Sequence, residues 1–197
     1  MKSFIILCGG RSKRMGKDKG SLLLNGKPML LHVIDTISDI ADEIILVLRD
    51  DEQEKRYKKI LGNNYDYIKI IKDKTIDKGP LMGILTGLSA IKSDNAQVLP
   101  CDSPFISKDF LLKMSEIADS EDFDAIVPVG NKEHIEPLHS IYKKDVKDII
   151  SVLIKEEKMD VKSLIMNVKA KYIDIKELDS TAKSFQNINT FKDFETH

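Results

Sequence analysis

Short apolar runs of β-type residues alternate along this chain with segments whose apolar residues recur every three or four positions. The clearest β-type runs are residues 3–8, 43–48, 67–71 and 96–99. The segments between them have the spacing of amphipathic helices, which cover a sheet and join strands that run in parallel. The alternation therefore predicts an α/β fold with a mainly parallel sheet.

The rest of the chain continues this pattern, with weaker signals toward the C-terminus. Helices are predicted after Pro28, over 51–61, from Gly79-Pro80 onward, and near 107–119 and 143–157. Further strands are predicted near 124–129, 135–142 and 169–175, and Thr190 is a candidate cap for a last short helix. Because no repeat, low-complexity segment or linker interrupts the chain, we expect residues 1–197 to form one domain.

The near-neutral charge of the chain argues against strongly anionic partners. Of the 197 residues 32% are charged, yet the formal net charge is only −1, so neither nucleic acid nor an anionic membrane is predicted as a partner. No apolar run reaches the roughly 20 residues of a membrane helix, and Met1-Lys2-Ser3 leads directly into the first strand. With two cysteines in no metal-binding pattern, these features predict a cytoplasmic protein with free thiols.

The first strand ends at Cys8 and a glycine pair, Gly9-Gly10, and a basic segment follows. Residues 11–19 hold five cationic side chains in nine positions: Arg11, Lys13, Arg14, Lys17 and Lys19. Glycines let backbone N–H groups approach a ligand closely, and the cations add positive charge. The segment predicts a polyphosphate cradle, although it matches neither the Walker A nor the dinucleotide-binding fingerprint. The alternative is a tight turn with a solvated basic face.

A second motif, Leu99-Pro100-Cys101-Asp102-Ser103-Pro104, places a carboxylate directly after an apolar strand. The carboxyl edge of a parallel sheet is where α/β proteins bind ligands. A carboxylate that faces a polyphosphate would repel it unless Mg²⁺ lies between them. Asp102 is therefore the candidate metal ligand, and Mg²⁺ is the expected cofactor. The alternative is that Asp102 only caps a turn.

Two further candidates for nucleotide binding are Asp73, at the end of the third predicted strand, and Gly79, at the start of a helix. Free N–H groups at a helix start can bind a base or a phosphate. Gly83 and Gly87 follow at intervals of four residues and share one helical face with Gly79. We expect Gly83 and Gly87 to let this helix pack closely on the sheet.

His134, Glu136 and His139 are metal-binding residue types, but their order is not the H-E-x-x-H of helical zinc sites. On a strand, His134 and His139 would point to opposite faces, which disfavours a shared metal. Polar contact with a substrate and plain exposed surface are both favoured over a metal site. The sequence also shows no Ser-His-Asp or Cys-His arrangement for nucleophilic catalysis.

Together these motifs resemble the signature of the nucleotidyltransferases that act on sugars and cofactors, and within that group the molybdenum cofactor guanylyltransferases of the MobA type. The resemblance covers residues 7–19, Asn25-Gly26-Lys27-Pro28, Gly79-Pro80-Leu81-x-Gly83, residues 100–104, Pro137-Leu138-His139 and Phe185-x-Asn187-Ile188-Asn189-Thr190. It extends from the first strand almost to the C-terminus. It implies a three-layer, Rossmann-like sandwich of the nucleotide-diphospho-sugar transferase type.

The resemblance also implies roles for individual residues. Backbone atoms around the first turn would meet the guanine nucleotide, and two further residues would lie beside it: Leu7, Cys8, Gly9 and Gly10, then Asp73 and Gly79. Lys19 and Arg14 would contact the phosphates, and Asp102 would hold Mg²⁺ there; these three are the predicted catalytic residues. On the acceptor side, His139, Asn187 and Asn189 would bind the substrate.

The implied reaction joins GTP to the terminal phosphate of molybdopterin, releases pyrophosphate and forms the guanine dinucleotide cofactor. The attacking phosphate oxygen is already ionised near neutral pH, so no general base is required. The implied partners are GTP and molybdopterin, with transient contact to molybdoenzymes or other cofactor-biosynthesis proteins.

The chain departs from the family pattern at two places, which leaves alternatives open. Cys8 stands where relatives have alanine, and Val47-Leu48-Arg49 stands where many have an asparagine that helps hold the nucleotide. One alternative is a transferase of the same fold that uses CTP, or a sugar or alcohol phosphate as acceptor. The other is a non-catalytic GTP-binding chaperone for the cofactor.

The two cysteines suggest a separate hypothesis. If the strands that precede Cys8 and Cys101 are neighbours, the two thiols lie side by side at the edge that carries the site. Nearby cations would lower a thiol pKa, and oxidation could then bridge or modify the pair and block the nucleotide site. The alternative is two inert, half-buried thiols.

Overall fold

The computed structural model describes residues 1–8, 18–73, 79–130 and 134–188. Its strands are β1 (Ser3–Leu7), β2 (Leu23–Leu24), β3 (Lys27–Pro28), β4 (Glu43–Leu48), β5 (Lys69–Lys72), β6 (Asn95–Pro100), β7 (Ala125–Val129), β8 (Ile141–Lys143) and β9 (Ala170–Asp174). Its α-helices are α1 (Met29–Ile37), α2 (Asp51–Leu61), α3 (Pro80–Leu88), α4 (Lys108–Ser120), α5 (Val146–Lys155), α6 (Val161–Met166) and α7 (Ile175–Leu178).

Seven of these strands form one sheet in the order β5-β4-β1-β6-β8-β7-β9. The first four strands in that order are mutually parallel, β8 runs antiparallel to both of its neighbours, and β7 pairs with β9 in parallel. The prediction of a mainly parallel sheet is confirmed. Strands β2 and β3 form a separate hairpin, and its turn has positive φ at Asn25 (51°) and Gly26 (78°), as the Asn-Gly pair predicts.

Helices cover both faces of the sheet, which confirms the three-layer sandwich. The two faces of β1 divide the core: Phe4 and Ile6 pack with residues of α1, α2, α4 and α7. Ile5 and Leu7 pack with residues of α3, α5 and α6 on the other face. A strand that is buried on both faces has no polar alternation, which explains why β1 is apolar throughout.

Helix α3 lies unusually close to the sheet because of its glycines. A Cβ at Gly87 would come within 2.5 Å of Ile5 Cγ2, and one at Gly83 within 3.1 Å of Leu7 Cδ2. The packing role predicted for these two glycines is confirmed. Gly79 differs from them, because it precedes the helix with a positive φ of 76° and is exposed.

The structure differs from the sequence prediction in the C-terminal half. The strand predicted over 135–142 is wrong for its first part, where Pro137–His139 forms a 3₁₀ turn and only Ile141–Lys143 pairs as β8. Proline lacks the N–H that a strand would donate, so the chain turns there. Helices α6 and α7 were not predicted; the side chains of Asp160 and Asp174 cap them. The cap predicted at Thr190 lies outside the described residues.

In the described part of the chain, no helix combines the length and the apolar character that a membrane crossing requires.

Gln97, on β6, is a buried polar residue with an unusual environment. Its side chain is only 3% exposed, and neither its amide nitrogen nor its amide oxygen has a hydrogen-bond partner among the described residues. A buried amide that makes no hydrogen bond costs the desolvation of both polar atoms. The buried amide of Gln97 therefore destabilises the folded protein.

Replacing Gln97 with methionine, which has a similar length and no amide, should stabilise the protein. We expect Gln97→Met to raise the free energy of unfolding by about 1 kcal/mol, measured by urea denaturation. The control is Gln186→Met at an exposed glutamine, where no gain is expected. A Gln97→Met variant less stable than the wild type would show that this amide is satisfied.

Asp179 organises the chain after α7. Its carboxylate accepts hydrogen bonds from Thr181 Oγ1 (2.6 Å) and from the Ser184 hydroxyl (2.7 Å) and N–H (2.9 Å). The Ser184 hydroxyl in turn accepts from the N–H of Ser107, the residue that caps α4. Burial disfavours ionisation of Asp179, but the hydrogen bonds outweigh it and lower its pKa to about 2.

This depressed pKa predicts a pH-dependent contribution to stability. An aspartate titrates near pH ~3.9 in an unfolded chain. The ionised Asp179 therefore stabilises the fold above pH ~4, and the stabilisation is lost as the pH falls toward 2. We expect Asp179→Asn to lower the free energy of unfolding by about 1–2 kcal/mol at pH 7, after allowance for solvent screening.

Urea denaturation of the wild type and Asp179→Asn at several pH values measures this difference. It should shrink steadily between pH 4 and pH 2, with Asp66→Asn at an exposed aspartate as the control. A difference that stays constant over this range contradicts the assignment.

Candidate functional site

Two adjacent strands, β1 and β6, end together at one edge of the sheet. Leu7 pairs with Pro100, and the N–H of Cys101 donates to the carbonyl of Leu7 at 3.2 Å. On the other side of β1, the N–H of Cys8 donates to the carbonyl of Val47 at 3.0 Å. The ends of β1, β4 and β6 thus meet at the carboxyl edge, where open α/β sheets bind ligands.

The structure brings Lys19 and Asp102 into direct contact at this edge. Lys19 Nζ lies 2.7 Å from Asp102 Oδ2, although 83 residues separate them. The two side chains are partly buried, with 23% and 14% of their surfaces exposed. Lys19 was predicted to bind phosphate and Asp102 to bind a metal, in separate arguments. The fold places the two side chains together, and both remain partly exposed to solvent.

Asp18, which precedes Lys19, is held from helix α2. Tyr57 donates its hydroxyl to Asp18 Oδ1, and Gln53 Nε2 donates to Asp18 Oδ2 at 2.5 Å. Arg56 lies farther away, at 3.7 Å from Asp18 Oδ2. The carboxylate of Asp18 is therefore engaged by the protein itself, and α2 sets the position of the backbone from which Lys19 extends.

The two thiols are neighbours, as expected, but their chemistry is the opposite of what was expected. Cys8 and Cys101 are both buried in the same apolar cluster and hydrogen-bond to each other. Burial, with the Cys101 thiol and Asp18 adding to it, raises the pKa of Cys8 well above its ordinary value. The expectation of a lowered thiol pKa is wrong for Cys8, because burial disfavours the thiolate and is the largest influence on the pKa of this group.

Asp73 follows β5, and its N–H donates to the carbonyl of Leu48 at 2.8 Å. Its side chain lies near α3, since a Cβ at Gly83 would be 3.9 Å from Asp73 Oδ2. Burial raises the pKa of Asp73, and a hydrogen bond from Thr86 offsets this in part. The other oxygen, Oδ1, is buried and has no hydrogen-bond partner among the described residues.

The residues predicted for the acceptor side that the structure describes, His139 and Asn187, converge on the turn after β6. The Ser103 hydroxyl donates to Asn187 Oδ1, and the N–H of Ile188 donates to the carbonyl of Asp102 at 3.1 Å. His139 Nε2 lies 3.2 Å from Ser103 Oγ, within hydrogen-bond distance. Asn187 and His139 were predicted from distant parts of the chain, and Ser103 joins them beside Asp102.

His139 is fully buried, so the interpretation as exposed surface is wrong for it, whereas His134 has 73% of its side chain exposed. Both imidazoles face Glu136, with His134 Nε2 at 3.3 Å and His139 Nδ1 at 3.4 Å from its carboxylate. They converge because Pro137–His139 is a 3₁₀ turn and not a strand. His139 itself is buried, and its contact with the turn after β6 is made through Ser103.

Ser103, His139 and Glu136 follow the order of a Ser-His-acid triad, an arrangement that the sequence does not reveal. Ser103 is fully buried, and its hydroxyl proton is donated to Asn187. A nucleophile must be exposed to its substrate and transfer its proton to the base. We therefore assign the three residues to positioning of Asn187 and not to nucleophilic catalysis.

Four predicted residues, Gly9, Gly10, Arg14 and Asn189, lie outside the described residues. Within the described ranges, no cluster of three or more His, Cys, Asp or Glu side chains could hold a metal ion by itself. A metal at Asp102 would need ligands other than such a cluster of described side chains.

Sequence reasoning missed three residues of the site: Gly20, Gln53 and Tyr57. Gln53 and Tyr57 lie four residues apart on α2, on the same buried face as Leu61. A glutamine in register with buried residues is a signal that could have identified Gln53. For Gly20 there is no such signal, because its requirement comes from the Tyr57 hydroxyl, 37 positions away in sequence.

The site is thus that of an α/β protein that places three groups at one sheet edge: a lysine, the carboxylate paired with it, and a buried carboxylate oxygen that has no hydrogen-bond partner in the described part of the chain. Comparison with known proteins gives the family. The MobA-like NTP transferase domain matches residues 4–171, and the chain belongs to this family.

Relatives resemble this chain over nearly its whole length. A probable molybdenum cofactor guanylyltransferase of Methanothermobacter thermautotrophicus is 37% identical and covers 98% of this chain and 97% of its own. A probable molybdenum cofactor guanylyltransferase of Methanocaldococcus jannaschii is 32% identical and covers 96% of this chain and 94% of its own. Among solved structures, molybdopterin-guanine dinucleotide biosynthesis protein A of Archaeoglobus fulgidus has a TM-score of 0.83 at 23% identity. The match covers 98% of this chain and 95% of that protein. The last likeness establishes the shared fold.

Gly20 is required at its position by close packing. A Cβ there would lie 2.3 Å from the Tyr57 hydroxyl and 3.1 Å from Cys101 Sγ. We expect Gly20→Ala to displace the Tyr57 ring and to destabilise the protein by about 1–3 kcal/mol, measured by urea denaturation.

Tyr57→Phe removes the clashing hydroxyl and provides the control. The double variant Gly20→Ala/Tyr57→Phe should therefore be more stable than the sum of the two single changes predicts. Strictly additive effects would show that the hydroxyl does not limit the space at Gly20.

Proposed function

We propose that this protein transfers GMP from GTP to the terminal phosphate of molybdopterin, releasing pyrophosphate and forming the guanine dinucleotide cofactor. The observation that carries the proposal is the contact between Lys19 and Asp102 at the shared edge of β1 and β6. The names of the relatives support the choice of GTP and molybdopterin as substrates.

The main chemical difficulty is to bring one phosphate anion up to another. The attacking oxygen is ionised near neutral pH, so the protein needs to supply charge neutralisation and alignment and not a base. Lys19 supplies a cation at the site, and Arg14 is proposed to supply a second. In-line positioning of acceptor phosphate and GTP provides the rest.

Asp102 fits a magnesium site that a nucleotide completes. Mg²⁺ in such sites takes one or two carboxylates, with phosphate oxygens and water as its other ligands. Asp102 offers a partly exposed carboxylate, and the described residues add no competing cluster of protein ligands. When bound, Mg²⁺ would neutralise charge on the phosphate oxygens of GTP. Lys19 balances the charge of Asp102 at the same place.

The nucleotide is proposed to bind where β1 ends. Backbone atoms of Leu7 and Cys8 would meet it, together with those of Gly9 and Gly10. Asp73 Oδ1, which has no hydrogen-bond partner among the described residues, supports a contact with a donor group of the nucleotide. Gly79 has no side chain to cap α3, and the first N–H groups of this helix are proposed to meet the nucleotide as well.

The acceptor is proposed to bind on the side of β8, where His139, through Ser103, orients Asn187. Asn189 would contribute beside it. We propose transient contact with molybdoenzymes or other cofactor-biosynthesis proteins, action in the cytoplasm, and no part for nucleic acid or a membrane. The whole chain is proposed to act as one domain.

Removing the Asp102 carboxylate tests the proposal. We expect Asp102→Ala to reduce pyrophosphate release from GTP and molybdopterin by at least 10²-fold, because the change removes the carboxylate that is proposed to hold Mg²⁺ at the phosphates. The fold should be retained, as judged by thermal unfolding. The control is Asp122→Ala, an exposed aspartate paired with Lys143 far from the site in sequence. Normal turnover of Asp102→Ala would remove this residue from the mechanism.

The same assay, run with CTP, ATP and UTP in place of GTP, tests the base. GTP should give the highest rate with molybdopterin as acceptor. A preference for CTP would contradict the guanylyl assignment. Binding of GTP without pyrophosphate release under any condition would instead favour the non-catalytic chaperone.

A further inference from the structure

The side-chain amide of Gln53, on the first turn of α2, makes three hydrogen bonds. It is only 1% exposed, and its Nε2 donates to the carbonyl of Cys8 at 2.7 Å and to Asp18 Oδ2 at 2.5 Å. Its Oε1 accepts from the N–H of Arg49 at 2.7 Å. Both amide hydrogens and the oxygen are therefore engaged with groups on three different segments.

The chemistry of these partners determines the orientation of the amide. The Cys8 carbonyl and the Asp18 carboxylate can only accept, so the NH₂ group must face them. The Arg49 N–H can only donate, so the oxygen must face it. No acidic or apolar side chain of similar size can make this combination of bonds, and the site requires an amide.

A capping role alone does not explain this residue. Asp50 caps α2 by accepting from the Gln53 N–H at 2.8 Å, and the sequence Asp50-x-x-Gln53 predicts a capping box. In a capping box the glutamine side chain bonds only to the start of its own helix. Here the oxygen does so, at Arg49, while both hydrogens bond to segments outside the helix.

The two outside segments are those that carry the proposed nucleotide contacts. Cys8 follows β1, and Asp18 directly precedes Lys19, whose Nζ contacts Asp102 at 2.7 Å. Tyr57 donates to the other oxygen of Asp18, so two residues of α2 hold this carboxylate. Burial, with the neighbouring thiols and Asp18 adding to it, raises the pKa of Tyr57 well above its ordinary value. The hydroxyl therefore stays a donor.

We propose that Gln53 is a positioning residue for the nucleotide: its amide sets the spacing between the Cys8 carbonyl and Asp18, and thereby the placement of Lys19 against Asp102. The proposal rests on the proposed nucleotidyl transfer and adds a residue of α2 to it. If the amide holds these segments in place in the free protein, less entropy is lost when the nucleotide binds. Removing the amide should therefore weaken the affinity for the nucleotide more than the affinity for molybdopterin.

Gln97 provides a matched control inside the same chain. Both glutamines are buried, at 1% and 3% exposure, but Gln97 makes no hydrogen bond among the described residues. Gln53→Met and Gln97→Met therefore make the same chemical change, and only the first removes bonds to the site. A general effect of replacing a buried amide would appear in both variants, and a positioning effect in Gln53→Met alone.

The decisive measurement is the KM and kcat of each substrate for these variants, with GTP affinity from calorimetry. We expect Gln53→Met to raise the KM and the Kd for GTP by at least tenfold and to change the KM for molybdopterin by less than twofold. Gln97→Met should match the wild type in all of these. Equal GTP affinity of Gln53→Met and the wild type overturns the proposal, as does an equal loss for both substrates.

Gln53→Glu adds a readout that a purely structural role would not produce. Its carboxylate would face the Asp18 carboxylate and the Cys8 carbonyl, with Tyr57 and Arg56 as the other polar groups around Asp18. Only the protonated form of Glu can donate one of the two lost bonds. We expect its GTP affinity, relative to the wild type, to improve several-fold from pH 8 to pH 5.5. For Gln53→Met the ratio should stay flat, and a flat ratio for Gln53→Glu counts against the proposal.

Two further results keep the outcome decisive. If Gln53→Met does not fold, Tyr57→Phe removes a single bond to Asp18 and should raise the KM for GTP two- to fivefold; no change overturns the proposal. If the wild type prefers another nucleoside triphosphate, the proposed function fails, while the same comparison with that nucleotide still decides the role of Gln53. A wild type that binds no nucleoside triphosphate overturns both.

Discussion

Parallel pairing of β1 with β4 on one side and β6 on the other is the constraint on which the rest of the structure depends. Parallel strands end at the same edge, so this pairing places Cys8, Asp102 and the end of β4 together although they are far apart in sequence. The hydrogen bonds from Cys8 to Val47 and from Cys101 to Leu7 continue the pairing past the last residue of β1. The contact between Lys19 and Asp102 requires this arrangement.

Burial then determines which polar groups at this edge can act chemically. The Cys8 thiol and the Tyr57 hydroxyl belong to residues of the same buried apolar cluster. Burial raises the pKa of each group, so both stay protonated. Lys19 and Asp102 keep part of their surface exposed and can meet a ligand. The edge thus has buried groups that stay neutral, and a partly exposed pair of charges. A similar division applies at the turn after β6, where His139 and Ser103 are buried and Asn187 is exposed.

Much of the fold was predictable because its signals are local. Strand β4 and helix α2 have the predicted bounds, since an apolar run and a capped, charged helix are both encoded by neighbouring residues. The roles of Gly83 and Gly87 followed from their spacing. The strand predicted over 135–142 was wrong in its first part, because a single proline outweighs a run of β-type residues there. For the site, Asp102 was identified by its position after a strand and Lys19 by the resemblance to the family, and the structure places them in contact.

The sequence by itself determined the sheet-and-helix alternation and the chemistry available at the strand ends, because both depend on residue type and short-range spacing. Only the tertiary structure decided which side chains bond to one another. It assigned the Gln53 amide to Cys8 and Asp18, placed the Tyr57 hydroxyl where Gly20 leaves space, and joined His139 to Asn187 through Ser103. These contacts link residues that lie 35 to 84 positions apart in the sequence, and their hydrogen bonds depend on distances that only the packed layers establish.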